Sequence, residues 1–362
     1  MNEKCKKILF FIPSYRGGAG KVICTLANYF SKKSECKVYL ASNYGFPCEY
    51  KIDESIQVLD FYKDGCSQKK IEIKTILLLH KFIKENKVDC IVSFTTKGNF
   101  GCILATIGTK CKIAVSERSD PYSENSLVFR MRRKLYPFAD KVIFQTDKAA
   151  QYYKKLNNDK INVIPNSVNV PSIVAAPIEL RKKEIVSVTR LSNKQKRIDV
   201  LLQAFQIVAE KHPDYTLRVI GDGEDKDLVE KWIKEMGIKD RVTLHGHSNN
   251  VLEEIKNSYA FVLTSDFEGI SNSMLEALSI GLPVVATNTP TGGAQAMIED
   301  GVSGFVVDRG DIVGIADALC KIIEDDKLAA VLGNNAYESM KKIYPEPIEK
   351  MWDDSISELF VK

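Results

Sequence analysis

The sequence lacks the marks of a membrane-spanning, disulfide-bonded or zinc-binding chain. No run of about 18 uncharged apolar residues occurs among its 362 residues, which argues against a transmembrane helix. The nine cysteines contain no CxxC pair, so neither a disulfide framework nor a zinc site is supported. The first apolar run, Ile8–Ile12, is too short for a signal peptide and ends in Pro13. We therefore expect a cytoplasmic chain with reduced, buried thiols.

A net charge of only +4 conceals an uneven distribution of charge. Residues 1–165 carry 29 Lys and Arg against 16 Asp and Glu, a net charge of +13, whereas the rest carries 22 against 31, a net charge of −9. A basic half favours a partner with negative charge: a nucleic acid, an anionic membrane or a phosphorylated substrate. The alternative is a solvated, lysine-rich surface.

Short runs rich in Val and Ile alternate with helix-length amphipathic stretches along the whole chain. The alternation predicts an α/β fold with parallel sheets, built as one βαβ series in each half. Residues 165–177 contain three prolines and form the most linker-like stretch between the two series. Two such Rossmann-like halves facing each other would form one cleft, with ligands bound beyond the carboxyl ends of the strands. Functional motifs should therefore follow strands.

A glycine-rich loop, Gly17-Gly18-Ala-Gly20, follows the first predicted strand and leads into a helix predicted over Val22 to Phe30. Such a loop lets the backbone approach an anionic ligand at a helix N-terminus. It is not the phosphate loop of an ATPase, because Tyr15 and Val22 stand where that motif needs Gly and Ser or Thr. We interpret it as a loop for a substrate phosphate or sugar, with a plain strand-to-helix turn as the alternative.

Two pairs of charged residues follow strands of the second half. Arg190 and Lys196 lie where a strand gives way to a helix, an arrangement that suits a diphosphate. Glu268 and Glu276 flank the start of another helix. If Ser273 capped that helix, Glu276 would be the acidic member of a capping box, which is the structural alternative for it. Exposed amides beside carboxylates suit a ligand that carries both phosphate and hydroxyls, as a nucleotide sugar does.

These motifs together resemble the retaining family-four glycosyltransferases of the GT-B fold. The resemblance rests on Glu268-x7-Glu276 and Arg190-x5-Lys196, with further similarity around Gly221, Gly246 and Gly281. It implies two Rossmann-like domains, the second binding a nucleotide-sugar donor and the first an acceptor. The domains implied are residues 1–165, a linker over 166–182, residues 183–344, and a final helix within 345–362 that packs on the first domain.

The resemblance also implies a role for each motif. Arg190 and Lys196 would hold the donor diphosphate, Glu268 the sugar hydroxyls and Glu276 the ribose, without a metal ion. Arg190, Lys196 and Glu268 are thus the candidate catalytic residues. The donor-binding residues implied are Gly17, Gly18, Arg190, Lys196, Gly221, Gly246, Glu268, Gly269, Ile270, Ser271 and Glu276.

Two positions depart from the family pattern. Many members carry a His after a middle strand of the first domain, where this chain has Ser116-Glu117-Arg118, as some polysaccharide-assembly members do. Glu117 and Arg118 are therefore the acceptor-side candidates, with a salt-bridged loop as the alternative. The second departure is Gln295, where a Glu is more usual.

The function expected is transfer of a hexose or N-acetylhexosamine from a nucleotide-diphosphate sugar, with uridine as the family's commonest base. The acceptor expected is a glycan, lipid-linked, in cell-surface polysaccharide synthesis. The alternatives are a nucleotide-sugar epimerase of the same fold and a non-catalytic nucleotide- or sugar-binding protein. Asp225-Lys-Asp227 has the letters of a metal-binding DxD motif, but it is better interpreted as the solvated start of a helix.

A basic and apolar segment, Leu127 to Phe138, lies in the basic half. Its four cations and interleaved apolar residues are typical of an interfacial helix that docks on anionic lipid. The expected partners are thus a nucleotide-sugar donor, a polyprenyl-diphosphate-linked glycan and an anionic membrane surface, without nucleic acid. A core-facing helix with a solvated basic side is the alternative for this segment.

Overall fold

A computed structural model describes residues 5–15, 17–43, 50–61, 68–122, 130–131 and 134–360. The chain divides into two compact units. The first comprises residues 1–166 together with 346–362, and the second comprises residues 167–345. Among the described residues, no helix combines the length and apolar character needed to cross a membrane.

The first unit is built on a seven-stranded sheet in the order β3-β2-β1-β4-β5-β6-β7, with every neighbouring pair parallel. The strands are β1 (Lys6–Phe11), β2 (Cys36–Ser42), β3 (Gln57–Asp60), β4 (Cys90–Phe94), β5 (Lys112–Ser116), β6 (Lys141–Phe144) and β7 (Ile161–Val163). The described helices of this part of the chain are α1 (Gly17–Ser31), α2 (Gln68–Asn86), α3 (Thr96–Thr106) and α4 (Asp147–Gln151).

The second unit is built on a six-stranded parallel sheet in the order β10-β9-β8-β11-β12-β13. Its strands are β8 (Glu184–Val188), β9 (Thr216–Ile220), β10 (Val242–Gly246), β11 (Ala260–Leu263), β12 (Val284–Thr287) and β13 (Phe305–Val307). Its helices are α5 (Asn193–Lys196), α6 (Ile198–Lys211), α7 (Lys226–Glu235), α8 (Val251–Ile255), α9 (Asn272–Ser279), α10 (Gly293–Met297), α11 (Ile312–Glu324) and α12 (Asp326–Met340).

The apolar runs of the sequence become the central strands because both faces of each sheet are covered. Every residue of β4, β11 and β12 is buried. A parallel strand buried on both faces needs a continuous apolar run rather than an alternating one, which is the pattern that these segments carry. Each unit accordingly has its own core of buried side chains.

Each sheet reverses its strand order at one point. In the second sheet the order runs outward from β8 to β10 on one side and from β11 to β13 on the other. The carboxyl ends of β8 and β11 therefore form the topological switch point, where open α/β sheets bind ligands. In the first sheet the corresponding point lies between β1 and β4.

The segment predicted as a linker is tied to the second unit from Ser167 onward. Ala175 donates its backbone N–H to the Ile280 carbonyl at 2.7 Å, and Ala176 donates to the Lys256 carbonyl at 2.9 Å. The last helix, α13 (Pro345–Ser357), returns to the first unit. Its Trp352 is fully buried there and stacks on Phe94 of β4, with ring centroids 5.6 Å apart.

Candidate active site

The two charged motifs of the second half meet at the switch point of the second sheet. Arg190 and Lys196 follow β8, whereas Glu268 follows β11, the neighbouring strand. The hydroxyl of Ser273, in the first turn of α9, donates to the Val188 carbonyl at 2.8 Å and joins this helix to the end of β8. Residues that are 72 positions apart in the sequence therefore converge at one edge of the sheet.

Lys196 and Glu268 form an ion pair, and each side chain is 14% exposed. The hydroxyl of Ser265 donates to the same Glu268 oxygen, Oε1, at 3.1 Å. Glu268 is thus bound by an ammonium and a hydroxyl in a largely enclosed position. The structure thus joins two residues that the sequence assigned to different parts of a donor, one to its diphosphate and one to its sugar.

Arg190 is exposed and is steadied by Gln195. Its Nη2 donates to Gln195 Oε1 at 3.0 Å, and Gln195 Nε2 donates to the Phe267 carbonyl at 2.9 Å. The backbone N–H of Asp266 donates to the Gln195 carbonyl at 2.9 Å. Gln195, which sequence reasoning did not single out, therefore bridges the loop that carries Arg190 and the loop that carries Glu268.

Arg197 fixes the turn that presents Lys196. Its backbone is left-handed, with φ of 49°. Its guanidinium donates two hydrogen bonds to Asp199 and one to Asp266, each 3.0 Å long. These bonds raise the pKa of Arg197. Burial alone would raise the pKa of Asp199, but the hydrogen bonds and the charge of Arg197 outweigh burial, so the pKa of Asp199 is lowered. Because Arg197 directly follows a basic motif, the sequence alone does not show whether it supports the turn or binds a ligand.

Glu276 is not the acidic member of a capping box formed with Ser273. Helix α9 begins at Asn272, with Ser271 in the capping position, so Ser273 lies one residue inside the helix. The Ser273 hydroxyl is used by the Val188 carbonyl instead. The structural alternative that the sequence offered for Glu276 is therefore wrong, because the helix starts two residues earlier than that alternative requires.

The backbone between Glu268 and α9 packs against the loop that contains Thr291 and Gly293. A Cβ placed on Gly293, at the start of α10, would lie 1.8 Å from the Gly269 carbonyl oxygen. The hydroxyl of Thr291 donates to the Glu268 carbonyl. Ile270 and Ser271 are buried, whereas Gly269 is half-buried. This support holds the amides that precede α9 at the helix N-terminus, where the helix dipole favours an anion.

Gly221 and Gly246 lie at the ends of β9 and β10 and pair with each other. The Gly221 N–H donates to the Gly246 carbonyl at 2.8 Å, and their φ angles are 142° and 81°. A Cβ on Gly221 would lie 1.9 Å from the Thr189 carbonyl oxygen. At both positions the left-handed backbone requires glycine. Asp225 of the DxD letters accepts a hydrogen bond from the Asn193 N–H at 2.6 Å and precedes α7.

The first-half candidates lie in the other unit. Gly17 and Gly18 are exposed and begin α1, five and four residues before the predicted start at Val22. Tyr50 donates its hydroxyl to the Gly17 carbonyl at 3.0 Å. Of the segment Leu127 to Phe138, residues 127–129 and 132–133 lie outside the described residues.

Glu117 is 2% exposed at the end of β5. Its carboxylate accepts hydrogen bonds from the Tyr136 hydroxyl at 2.6 Å, the Ser119 hydroxyl at 2.5 Å and the Thr96 hydroxyl at 3.2 Å. Burial and the Glu117 charge raise the pKa of Tyr136 well above its usual value. Glu117 thus joins the loop that follows β5 to the start of α3 and to Tyr136.

The comparisons with known proteins cover both units. The family model described as "Glycosyltransferase Family 4" matches residues 16–171, and the model described as "Glycosyl transferases group 1" matches residues 172–339. The chain belongs to the family-four glycosyltransferases. Two parallel Rossmann-like sheets are the architecture of their GT-B fold, so the fold class predicted from the sequence is confirmed.

Two similar relatives come from Campylobacter jejuni. A GalNAc-alpha-(1->4)-GalNAc-alpha-(1->3)-diNAcBac-PP-undecaprenol alpha-1,4-N-acetyl-D-galactosaminyltransferase is 26% identical, covering 98% of this chain and 99% of the relative. An N-acetylgalactosamine-N,N'-diacetylbacillosaminyl-diphospho-undecaprenol 4-alpha-N-acetylgalactosaminyltransferase is 28% identical, covering 91% and 94%. Anabaena HepE, solved in complex with UDP-glucose, has a TM-score of 0.83 at 20% identity, covering 97% of this chain and 99% of HepE.

Within the described part of the glycosyltransferase, three side chains that could ligate a metal ion also lie close together. Ligand atoms of His212, Cys320 and Glu324 lie within 4.8 Å of one another. His212 follows α6, and the other two lie one turn apart on α11, so the group sits at helix carboxyl ends rather than at the strand ends that carry Lys196. The sequence could not show this group, because its members come from two elements. Burial raises the pKa of the Cys320 thiol.

Proposed function

We propose that this glycosyltransferase moves a hexose or N-acetylhexosamine from a nucleotide-diphosphate sugar to a lipid-linked glycan, with retention of anomeric configuration and without a metal ion. The observation that carries the proposal is the Lys196–Glu268 pair at the switch point of the second sheet, beside the N-terminus of α9. At one edge of the sheet, the cation and the helix amides suit the diphosphate and the charge that grows on it as it leaves, and the carboxylate suits the sugar hydroxyls.

We assign the diphosphate to Arg190, Lys196 and the amides of Gly269, Ile270 and Ser271. When the glycosidic bond breaks, negative charge grows on the bridging oxygen of the leaving diphosphate. Cations and amides that are already held in place stabilise this charge without reorganising. Arg197 and Gln195 contribute by fixing the turn and the loop on which Lys196 and Arg190 stand.

We assign the sugar hydroxyls to Glu268 and the ribose to Glu276. Lys196 is paired with Glu268 in the structure. A donor diphosphate would accept hydrogen bonds from the Lys196 ammonium in place of Glu268. The released carboxylate oxygens would then accept hydrogen bonds from the sugar. Deprotonation of the acceptor by the donor phosphate, on the face from which the leaving group departs, would give retention without a protein nucleophile.

The donor base and the acceptor are inferred from similar proteins. HepE was solved with UDP-glucose, and both Campylobacter relatives are named for undecaprenol-linked acceptors. We therefore propose that the second unit binds a uridine diphosphate sugar as donor and the first unit binds a polyprenyl-diphosphate-linked glycan as acceptor, in cell-surface polysaccharide synthesis. Gly17 and Gly18 stay donor-side candidates, and Glu117 stays an acceptor-side candidate.

The place proposed for the reaction is the cytoplasmic face of a membrane. Residues 1–165 carry the net charge of +13 that would attract anionic lipid, and a polyprenyl acceptor is itself anchored in lipid. Among the described residues of the basic segment, Arg130 and Lys134 expose charge, and Met131 and Phe138 expose apolar surface.

A donor panel with a lipid-linked acceptor tests the proposal. Uridine, guanosine, adenosine and thymidine diphosphate sugars would each be incubated with the protein and a polyprenyl-diphosphate-linked glycan. The expected result is release of nucleoside diphosphate that depends on acceptor, with a lengthened glycan as the second product. Appearance of a free epimer, or tight donor binding without turnover on every donor and acceptor tried, would contradict glycosyl transfer.

A further inference from the structure

Arg118, at the end of β5, is held from four sides. Its Nε donates to the Ser116 hydroxyl and its Nη1 to Asn166 Oδ1, each at 2.8 Å. The guanidinium carbon lies 5.1 Å from the ring centroid of Phe94 and 5.4 Å from that of Trp352. Burial lowers the pKa of Arg118 to about 9, against the opposing charge of Glu117. Enclosure of a guanidinium in this way uses both its edge and its faces.

Two of these partners mark the places where the chain passes between the units. Asn166 is the last residue of the first unit before the chain enters the second. Trp352 lies on α13, just after the chain re-enters the first unit at Glu346. Gln145 Nε2 also donates to Asn166 Oδ1, at 2.8 Å, and Trp352 is fully buried against Phe94. The chain thus has two crossover segments, one at Asn166 and one at α13, and the Arg118 side chain contacts both of them within the first unit.

We propose that Arg118 is a positioning residue for glycosyl transfer, which anchors both crossover segments to the first unit, rather than a ligand of the acceptor. The inference rests on the proposed function, in which one unit binds the donor and the other binds the acceptor. Loosening either segment would lower the fraction of time that the bound reactants spend in a reactive geometry. It would leave each binding site intact.

The contacts favour this role over the acceptor-side role that the sequence suggested. Nε and Nη1 are already committed, and aromatic rings lie within cation–π range of the guanidinium. Nη2 is buried and has no hydrogen-bond partner among the described residues. A lysine could not reproduce the arrangement, because a single ammonium lacks the fork of donors that bonds Ser116 and Asn166 from one side chain.

The test compares Arg118→Lys with Trp352→Phe, which alters the same anchor from the other crossover. For both variants, amide hydrogen exchange across α13 should become about tenfold faster or more. The kcat for transfer should fall about tenfold, while the acceptor KM and the Kd for uridine diphosphate stay within about twofold. Arg241→Lys is the matched control: this second-unit arginine donates to the Tyr215 carbonyl at 3.1 Å and should change none of these values.

A spectroscopic measurement keeps the inference testable without any activity. The chain has two tryptophans, so the Trp232→Phe background leaves Trp352 as the only source of tryptophan emission. In that background Arg118→Met should change the emission of Trp352, because the cation beside its ring is lost. If no donor supports transfer by the wild type, the proposed function fails, while emission and amide exchange still test the anchor.

Two results would overturn the inference. One is a rise of about tenfold or more in acceptor KM for Arg118→Lys with unchanged exchange in α13, which would make Arg118 an acceptor ligand. The other is unchanged exchange in α13 and unchanged emission of Trp352 when Arg118 is replaced, which would show that Arg118 does not hold that segment.

Discussion

In the proposed function, the ion pair between Lys196 and Glu268 must open before either side chain can bind the donor. The two side chains form an ion pair at the edge of the second sheet. In the proposed function, a diphosphate would compete with Glu268 for the lysine, and sugar hydroxyls would then compete for the carboxylate. A complete donor would engage both charges of the pair, whereas a bare nucleotide would engage only the lysine.

Replacement of Glu268 by Gln should separate these two ligands. The neutral amide no longer holds Lys196 by charge, so affinity for bare uridine diphosphate should stay equal or increase. Affinity for the sugar nucleotide should fall about tenfold, since a charge-assisted bond to a hydroxyl is worth about 1.5–3 kcal/mol. Titration calorimetry with both ligands measures the two effects. Equal losses for both ligands would show that Glu268 does not read the sugar.

Glu276→Gln tests the ribose assignment. Gln keeps the size of the side chain and one acceptor oxygen, so the melting temperature should stay nearly unchanged. Affinity for uridine diphosphate should fall about tenfold, as expected for a lost charge-assisted bond to a ribose hydroxyl. Glu210→Gln, an exposed carboxylate on α6, is the control. A lower melting temperature with unchanged nucleotide affinity would indicate a structural role for Glu276.

At the residue level, the sequence predicted the pattern of charged residues but not their mutual contacts. Arg190, Lys196, Glu268 and Glu276 could be singled out because each follows a strand at a motif spacing. Nothing in the spacing shows that Lys196 and Glu268 pair, or that Gln195 bridges their loops. Such contacts depend on which strands are neighbours, and that is a property of the folded sheet.

At the scale of elements, the loop under Glu268 depends on close contact between two glycines. A methyl group at Gly293 would lie 1.8 Å from the Gly269 carbonyl oxygen, so Gly293→Ala must displace the loop that carries Glu268. We expect donor affinity to fall about tenfold or more and turnover to fall with it. Gly101→Ala is the control, since its nearest neighbour would lie 3.7 Å away and alanine suits a helix interior. Unchanged donor affinity in Gly293→Ala would remove this loop from the donor site.

The strands were predictable because parallel strands buried on both faces need short apolar runs, and this chain separates those runs with helices. The predicted run Cys90 to Phe94 is observed as β4, and the run Thr216 to Ile220 as β9. Helix starts were less predictable. Helix α1 begins at Gly17, although glycines disfavour helix. One of these glycines is required by packing, since a Cβ on Gly20 would lie 1.8 Å from the Tyr15 carbonyl oxygen. Tertiary contacts of this kind leave no periodic signal.

At the scale of the whole molecule, the charge difference between the halves predicts where lipid binds. Vesicles containing anionic lipid should sediment the protein, neutral vesicles should not, and salt should weaken the binding. Charge reversal at Arg132 and Arg133, which lie outside the described residues, should weaken it at about 1 kcal/mol per basic residue. Reversal at Lys234 and Lys239, exposed in the second unit, is the control. Equal sedimentation with neutral vesicles would contradict an electrostatic attachment.

The most direct test of the account is the turnover of Lys196→Ala against Lys194→Ala in the presence of EDTA. Lys194 is exposed two residues away on the same short helix. If Lys196 stabilises the departing diphosphate, its loss should lower kcat by about 10²–10³ with a smaller change in donor KM, whereas Lys194→Ala and EDTA should leave kcat within about twofold. Any change in melting temperature that EDTA causes through His212, Cys320 and Glu324 would be measured separately. Wild-type turnover in Lys196→Ala, or turnover abolished by EDTA, would contradict the account.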